Sequence, residues 1–248
     1  MYSRYVIQQE IQLAGDLPRP IQLPVMTIVE VCEWTLQRTR LVLNNHNKNI
    51  QFYPLDLAKH DQVVALANSL VESKATIDCI IHNAGFNPKD VKEPTDYFDS
   101  TFYIQDFSAA NVSESLFINA LHSMELTGRL LPVLTKDAVV IAISSWLGSI
   151  GEKTVPGHYA YAGSKALMNM FIKGLSLEFA KDKHNAPVSQ RTAIALNPGW
   201  MKIDMGGGDR ADISPEEVAS RILAMIDDGF FHAHNGTFLN TDRTEHAW

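Results

Sequence analysis

The chain of 248 residues has few cysteines, no long apolar run and no excess of basic charge. Cys32 and Cys79 lack ligand-like spacing, which excludes a disulfide framework and a cysteine-based zinc site and is typical of a reducing compartment. The longest apolar run, residues 138–143, is too short to span a bilayer, and residues 1–5 do not open a signal peptide, so we expect a cytoplasmic protein without membrane association. With 21 basic and 28 acidic residues the net charge is −7, so nucleic-acid binding is not expected.

Glycine is almost missing from the first third of the chain. Gly15 is the only glycine before Gly85, whereas Pro18, Pro20 and Pro24 lie close together. A loop that cradles phosphate groups needs glycines, because the backbone must approach the ligand closely. The composition of this segment therefore does not favour such a loop.

From about residue 50 onward, strand-like and helix-like patterns alternate. The predicted strands are residues 51–55, 77–82, 138–143, 192–196 and 236–239, and the predicted helices are 61–72, a long one that ends near 134, 159–179 and 215–227. This alternation predicts an α/β protein with a doubly wound parallel sheet, in a single domain over residues 1–248. Residues 1–49 are atypical: residues 25–31 are strand-like, residues 34–43 fit either a short helix or a strand, and the first βαβ unit is predicted to be degenerate.

A tyrosine, a lysine and a serine form the most informative cluster. Tyr161 and Lys165 are four residues apart on a predicted helix and so share one face. An ammonium group near a phenol favours the phenolate, so the pKa of Tyr161 is expected to fall below the usual value of about 10. Such a tyrosine exchanges protons near neutral pH. Ser145 follows an apolar strand, where its hydroxyl would hold a carbonyl oxygen beside the tyrosine.

Each of these signals alone also has an ordinary structural explanation. A Tyr-x-x-x-Lys spacing is usually a solvated helix face, and a Ser-Ser pair after a strand is usually a turn. Their order, after Asn-Ala-Gly at 83–85 and before Asn-Pro-Gly at 197–199, favours a functional site. By contrast His232 and His234 have no third clustered ligand, so they are interpreted as a surface or loop pair, and no metal site is predicted.

With these motifs the chain resembles the short-chain dehydrogenase/reductase family over about residues 50–248. The resemblance is strongest to its C-factor-like and sniffer-like carbonyl reductases. The matching strings are LDL (55–57), IIHNAG (80–85), INAL (118–121), ISSWLGSIG (143–151), YAYAGSKALMN (159–169), NPGWMKIDMGG (197–207) and GTFLNTDRTEHAW (236–248). The resemblance implies a Rossmann-type sheet, an NAD or NADP cofactor, a small-molecule carbonyl or alcohol substrate, and a homodimer or homotetramer that pairs through long helices.

The resemblance also implies a role for each matching residue. Tyr161 would be the general acid/base, Lys165 would lower its pKa and hold the nicotinamide ribose, and Ser145 would bind the substrate oxygen. Asn119 would support a water-linked proton relay. In the cofactor site, Asp56 would contact the adenine, Asn83, Ala84 and Gly85 would line the cleft, and Pro198 and Gly199 would lie beside the nicotinamide.

The first 49 residues depart from the family, which opens with a T-G-x-x-x-G-x-G loop. Because Asp56 lies where a complete first unit would place it, this segment looks substituted rather than deleted. One hypothesis is a displaced reading frame in the codons for residues 1–49, which resequencing the locus tests by finding or not finding an intact glycine loop in another frame. Arg38 and Arg40 lie near the cofactor-selecting positions and favour NADP, with NAD as the alternative.

The sequence therefore leaves three alternative functions open. The first is an NAD(P)-dependent oxidoreductase, which the complete proton-transfer set favours. The second is a non-catalytic family member, a pseudoenzyme or an interaction scaffold, which the missing glycine loop favours. The third is the misfolded product of a damaged gene, in which loss of the first unit exposes apolar surface on the neighbouring strand.

Overall fold

The computed structural model of the chain describes residues 4–11, 25–32, 50–88, 103–185, 190–203 and 208–248. Its strands are β1 (Arg4–Ile11), β2 (Val25–Cys32), β3 (Ile50–Leu55), β4 (Ile77–His82), β5 (Leu134–Ile143), β6 (Thr192–Asn197), β7 (Phe238–Asn240) and β8 (Glu245–His246). The helices are α1 (His60–Glu72), α2 (Ala109–Leu116), α3 (His122–Leu130), α4 (Tyr159–Asn185) and α5 (Pro215–Asp227).

The eight strands form one sheet in the order β3-β1-β2-β4-β5-β6-β7-β8. Strands β2, β4, β5, β6 and β7 are parallel neighbours, as expected from βαβ units. β1 runs antiparallel to both β2 and β3, and β8 runs antiparallel to β7. The α/β class is therefore confirmed, and the sheet is mixed rather than wholly parallel.

The first unit of the fold is where the sheet departs from a regular doubly wound order. β2 occupies the place next to β4, with Ile28 paired to Ile80, and β1 lies between β2 and β3. β1 was not predicted from the sequence, and its antiparallel pairing with β2 extends from Arg4 opposite Cys32 to Ile11 opposite Val25. The two strands thus fill sheet positions without a parallel crossover between them.

Apolar side chains cover both faces of the sheet at its central strands. On one face Ile80, Val140 and Ala142 pack with α1, α3 and α4, and on the other Ile141 and Leu239 pack with α5. This explains why β5 and β6 carry consecutive buried residues, as in 138–143 and 192–197, rather than an alternation of buried and exposed ones. Within the described part of the chain, no helix is both long and apolar enough to cross a membrane.

Most element boundaries agree with the prediction; the largest errors are at the end of α4, which continues to Asn185 instead of ending at 179, and before β5. The predicted long helix ends at Leu130 instead of near 134, because Pro132 follows in a 3-10 turn and cannot continue an α-helix. β5 starts at Leu134, four residues earlier than predicted; the start was missed because the polar residues 135–137 are at least partly exposed and interrupt the apolar pattern. The residues Ser214-Pro215-Glu216-Glu217, a pattern typical of a helix start, do begin α5: Ser214 Oγ accepts a hydrogen bond of 3.1 Å from the Glu217 backbone amide.

Burial of β4 under α5 has a chemical consequence for Cys79. Desolvation, reinforced by the neighbouring Asp78 carboxylate, raises the pKa of the Cys79 thiol from 9.0 to about 12. In a Cys32→Ser variant we expect this thiol to resist a thiol reagent near pH 8 until the protein unfolds, because the thiolate is the reactive form. Titration with Ellman's reagent, with and without denaturant, measures this. Rapid labelling of the native protein would contradict the burial of β4.

Candidate active site

Three turns lie side by side at one edge of the sheet. Because β4, β5 and β6 are parallel, their carboxyl ends meet at this edge, which is where open α/β sheets bind ligands. The turns contain residues 83–85 after β4, 144–148 after β5, and 198–199 after Asn197, the last residue of β6. The sequence motifs on these three separate segments are thus brought together by the register of the sheet.

The two adjacent serines after β5 have different surroundings. Ser144 is buried, and its hydroxyl donates a hydrogen bond of 2.6 Å to Asn169 Oδ1 on α4. Ser145 is only partly buried, and its Oγ accepts a hydrogen bond of 3.2 Å from the Leu147 backbone amide. That bond uses a lone pair of Ser145 Oγ, so the hydroxyl hydrogen remains able to donate to a carbonyl oxygen. Of the two serines, Ser145 is the one suited to contact a substrate.

Tyr161 and Lys165 lie in the first two turns of α4, and their relative geometry fits an interacting pair. Lys165 Nζ is 5.7 Å from the centroid of the Tyr161 ring, within the range at which a cation interacts with an aromatic face. The lysine is 3% exposed, and its ammonium group donates a hydrogen bond of 2.7 Å to the Ile143 carbonyl oxygen at the end of β5. Tyr161 itself is partly exposed. A buried positive charge therefore lies next to a phenol that remains accessible.

Asn119 lies in a π-helical turn, Phe117–Leu121, between α2 and α3. Its side chain accepts a hydrogen bond from the Phe86 amide at 2.7 Å and donates to the Phe86 carbonyl oxygen at 2.8 Å. It also donates to Ser164 Oγ at 2.8 Å, and that hydroxyl bonds the Tyr161 carbonyl oxygen. Turns of this kind are frequent at functional sites. Asn119 thus links the turn after β4 to the start of α4.

The remaining predicted cofactor residues lie along the same edge. Asp56 follows β3, the first strand of the sheet, and its carboxylate accepts a hydrogen bond of 2.9 Å from the Ala58 amide. Four strand spacings of about 4.8 Å, roughly 19 Å in all, separate β3 from β5. The other predicted positions are Asn83 (exposed), Ala84 (buried), Gly85 (partly exposed), Pro198 (buried) and Gly199 (exposed). A ligand that contacted all these positions would have to extend across half of the sheet.

Gly148 brings the turn after β5 into close contact with α4. A Cβ at this position would lie 2.9 Å from both the backbone carbon and the Cβ of Lys165. No flexible side-chain end is involved, so the turn and the helix would have to separate. Glycine at 148 therefore permits the close approach of the turn after β5 to α4 at Lys165.

We expect Gly148→Ala to lower stability by about 1–3 kcal/mol, the usual cost of overpacking, and to reduce turnover by moving Ser145 away from α4. Urea unfolding and steady-state kinetics measure the two effects. Gly174→Ala on α4 is the control, because nothing lies within 4 Å of a Cβ added at Gly174. The control should be neutral or slightly stabilising. Equal behaviour of the two variants would contradict the close approach at Gly148.

Two buried asparagines at this edge were missed by sequence reasoning. Besides accepting from Ser144, Asn169 donates from Nδ2 to the Gly148 carbonyl oxygen at 3.3 Å. Asn197 Oδ1 accepts from the Trp146 amide at 3.2 Å and the Gly199 amide at 3.4 Å. Both residues stand inside the quoted motifs, and the only sequence signal was an amide in an otherwise apolar setting.

The histidine pair shows no metal-binding arrangement. His234 Nδ1 is 2.8 Å from the Phe230 carbonyl oxygen, and its ring stacks on Phe230 at 3.9 Å between centroids. His232 Nδ1 is 3.2 Å from the Gln190 carbonyl oxygen. Among the described residues, no three histidine, cysteine or acidic side chains come together as a ligand set.

The described residues fit the nicotinamide ribose end of a dinucleotide. Lys165 supplies a buried ammonium group. In the turn after β6, the exposed Gly199 has a φ of +83° and carries no side chain that would block a ligand. A cavity of about 320 Å³ borders Pro198 and Gly199, but Ser145, Tyr161 and Lys165 do not line it: its other walls are residues on and before α5 and residues 240–242, so it does not itself mark the place of the ribose. At the pyrophosphate end, β2 takes the sheet position beside β4, where the family has the strand that leads into its phosphate loop. The residues that follow β2, 33–49, contain no glycine, and they lie outside the described residues. Arg38 and Arg40 belong to this same segment.

Comparison with known proteins finds one family and several related structures. Residues 26–213 match the sequence model of a family described as short chain dehydrogenase. The C-signal protein of Myxococcus xanthus is 32% identical over 145 residues, which cover 58% of this chain and 82% of that protein. The family match includes β2, although that strand is not followed by the family's glycine loop.

Two solved structures share the fold. The carbonyl reductase Sniffer of D. melanogaster superposes with a TM-score of 0.73 at 26% identity, covering 94% of this chain and 91% of that one. An NADPH-bound carbonyl reductase from chicken fatty liver has a TM-score of 0.69 at 24% identity, covering 86% of this chain and 82% of that one. The similarity to Sniffer extends over nearly the whole chain.

Proposed function

The chain belongs to the short-chain dehydrogenase family of NAD(P)-dependent oxidoreductases, and we propose that it interconverts a small-molecule carbonyl and its alcohol with NADP(H) as cofactor. The observation that carries this proposal is the buried Lys165 ammonium group 5.7 Å from the ring of the accessible Tyr161. Ser145 on the adjoining turn completes the set. Because one fold supports many chemistries, the proposal depends on this local arrangement rather than on the sheet.

The nicotinamide, when bound, supplies or accepts the hydride. On this chain Lys165 would hold its ribose, Pro198 and Gly199 would lie beside the ring, and residues 83–85 would line the cleft toward Asp56. The choice of NADP is supported by the NADPH-bound chicken reductase and by Arg38 and Arg40 in the segment that would contact the far ribose. NAD is the alternative cofactor.

The side chains would share the proton transfer as follows. Ser145 donates a hydrogen bond to the substrate oxygen and holds it near Tyr161. Tyr161 gives its phenolic proton to that oxygen as the carbonyl becomes an alcohol, and takes it back in the reverse reaction. The Lys165 ammonium stabilises the phenolate that remains and so lowers the pKa of Tyr161. Asn119, which is bonded to Ser164 beside the tyrosine, would support the water-linked relay that returns the proton.

A non-catalytic role remains the second candidate. It is supported by the glycine-free sequence from residue 16 to residue 84, where the family has its phosphate-binding loop. A scaffold that had lost catalysis would have no physical need for a buried lysine beside an accessible tyrosine. The arrangement of these two residues is why we favour the enzyme.

Turnover of carbonyl compounds tests the proposal. Purified protein is mixed with NADPH or NADH and a panel of aromatic aldehydes, aliphatic aldehydes and ketones, and the loss of reduced-cofactor absorbance is followed. We expect oxidation of NADPH that depends on the carbonyl compound and is faster than with NADH. If no carbonyl is reduced while the protein is folded by circular dichroism, the non-catalytic candidate replaces the enzyme.

Pairing of two or more copies through the long helices stays a prediction. Phe117, between α2 and α3, and Met170 and Leu177 on α4 are exposed apolar side chains on the elements expected to pair. Sedimentation of the purified chain at several concentrations would determine whether a dimer or tetramer forms.

A further inference from the structure

We propose that Asn197 is a positioning residue that sets the spacing between the Ser145 turn and the Pro198–Gly199 turn. The inference rests on the proposed function, because these turns would hold the substrate oxygen and the nicotinamide respectively. No motif of the sequence analysis gave this side chain a role. Its position at the end of β6, between two turns that do not adjoin in sequence, is what points to it.

The hydrogen bonds of the Asn197 side chain join both turns at one oxygen atom. Its Oδ1 accepts from the Trp146 amide, directly after Ser145, at 3.2 Å, and from the Gly199 amide at 3.4 Å. Its Nδ2 donates to Asn240 Oδ1 at 2.8 Å. The two amide contacts occupy both lone pairs of the carboxamide oxygen, and the Asn240 contact fixes which end of the amide faces the turns.

Backbone pairing ends immediately before these turns. β5 and β6 pair up to Ile143 opposite Leu196, and the Ser144 amide adds one more bond, of 2.7 Å, to the Leu196 carbonyl oxygen. Beyond that point the two chains leave the sheet in separate turns. Asn197 continues the connection through its side chain, and it is 8% exposed, so water is a poor replacement for its oxygen.

The pair of side-chain amides, Asn197 and Asn240, is itself held in place by residues that follow β7. Asn197 and Asn240 are register partners at the ends of β6 and β7. Asn240 Nδ2 donates to Thr244 Oγ1 at 3.0 Å, which orients its oxygen toward Asn197. The spacing of the two turns is therefore set by a row of side chains across β6 and β7, and Asn197 acts on the reaction only through the backbone that it holds.

Three variants test this inference. Asn197→Leu keeps the side-chain size but removes the acceptor, Asn197→Ala is a smaller alternative should the leucine variant not fold, and Asn197→Asp keeps an acceptor for both amides. Asn235→Leu is the matched control, because Asn235 bonds the Ala193 amide at 3.0 Å and the Ser176 carbonyl oxygen at 2.9 Å at the opposite end of β6. Thermal unfolding, kcat, KM and amide hydrogen exchange at residues 146 and 199 are measured for each variant.

We expect Asn197→Leu to lower kcat by about 10- to 100-fold, the scale of a displacement of about 1 Å at a reacting centre. Exchange at the Trp146 and Gly199 amides should accelerate in the same variant. Asn197→Asp should keep the protection of both amides, but it no longer donates to Asn240 Oδ1, so its kcat should lie between that of Asn197→Leu and that of the wild type. Asn235→Leu should lose thermal stability while its kcat and these two amides stay unchanged.

The exchange measurement separates failure of this inference from failure of the proposed function. If the wild-type chain reduces no carbonyl, the proposed function is wrong, and protection of the two amides by Asn197 still reports on the coupling of the turns. If Asn197→Leu keeps its kcat, or if Asn235→Leu loses kcat equally, Asn197 has only a structural role and the inference is overturned. Unchanged exchange at both amides in Asn197→Leu would overturn it as well.

Discussion

Replacing Tyr161 by phenylalanine is expected to lower kcat by about 10²- to 10⁴-fold, the contribution of a positioned general acid. The phenyl ring keeps the size of the tyrosine but has no proton to give to the substrate oxygen. Because Tyr161 is only partly buried, loss of its hydroxyl should leave the free energy of unfolding nearly unchanged. The affinity for NADPH should change little, since the cofactor would be held mainly by Lys165 and the backbone turns.

The measurement compares steady-state kinetics, NADPH binding and urea unfolding for the variant and the wild type. Tyr159→Phe serves as the matched control, because Tyr159 lies on the same helix, is 42% exposed and packs edge-to-face against Phe107. This control should retain full kcat. Turnover at the wild-type rate in Tyr161→Phe would show that another group supplies the proton.

Replacing Lys165 by methionine is the second change with a large expected effect. It removes the ammonium group that, under the proposed function, would stabilise the Tyr161 phenolate and hold the nicotinamide ribose, so we expect kcat/KM to fall by about 10²-fold or more. The pKa of Tyr161 should rise, because a nearby positive charge no longer favours its ionised form. Carbonyl reduction needs the protonated phenol, so the rate of reduction falls as the pH rises through the pKa of Tyr161, and this fall should move to higher pH in the variant. Alcohol oxidation needs the phenolate, so the rate of oxidation rises with pH through the same pKa, and this rise should also move to higher pH.

The pH profiles of reduction and oxidation measure this shift directly. Lys173→Met is the control, since Lys173 lies two turns further along α4 and donates a hydrogen bond of 2.8 Å to the Gly236 carbonyl oxygen, outside the site. Methionine is flexible and tolerated in packed interiors, so the fold should survive both substitutions. If the pH profile of Lys165→Met coincides with that of the wild type, Lys165 does not tune the tyrosine.

The parts of the site that the sequence predicts are those in which spacing is local. Tyr161 and Lys165 share a helix face because they are four residues apart, and the structure places their groups in contact range. The family resemblance favours Ser145 over Ser144, and the packing of Asn169 against Ser144 supplies the physical reason, which the sequence does not contain. The role of Asn197 depends on the pairing of β5 with β6, which no local pattern contains.

The difference between local and long-range signals also explains which strands and helices could be predicted from the sequence. From β3 onward, apolar runs and capping residues such as Ser214 predict most elements, because each signal lies within the element that it specifies. β1 could not be predicted, since its place between β2 and β3 is decided by pairing over long distances in the chain. The start of β5 was also missed, because Lys136 and Asp137 interrupt its apolar run.

Titration of the wild-type chain with NADPH, followed by cofactor fluorescence, tests most directly whether a lysine–tyrosine pair at this sheet edge serves a bound nicotinamide. The account predicts saturable binding at micromolar cofactor, weakened in Lys165→Met and unchanged in Lys173→Met. Absence of binding at millimolar NADPH and NADH, in protein that is folded, would contradict it and assign the chain to the non-catalytic members of its family.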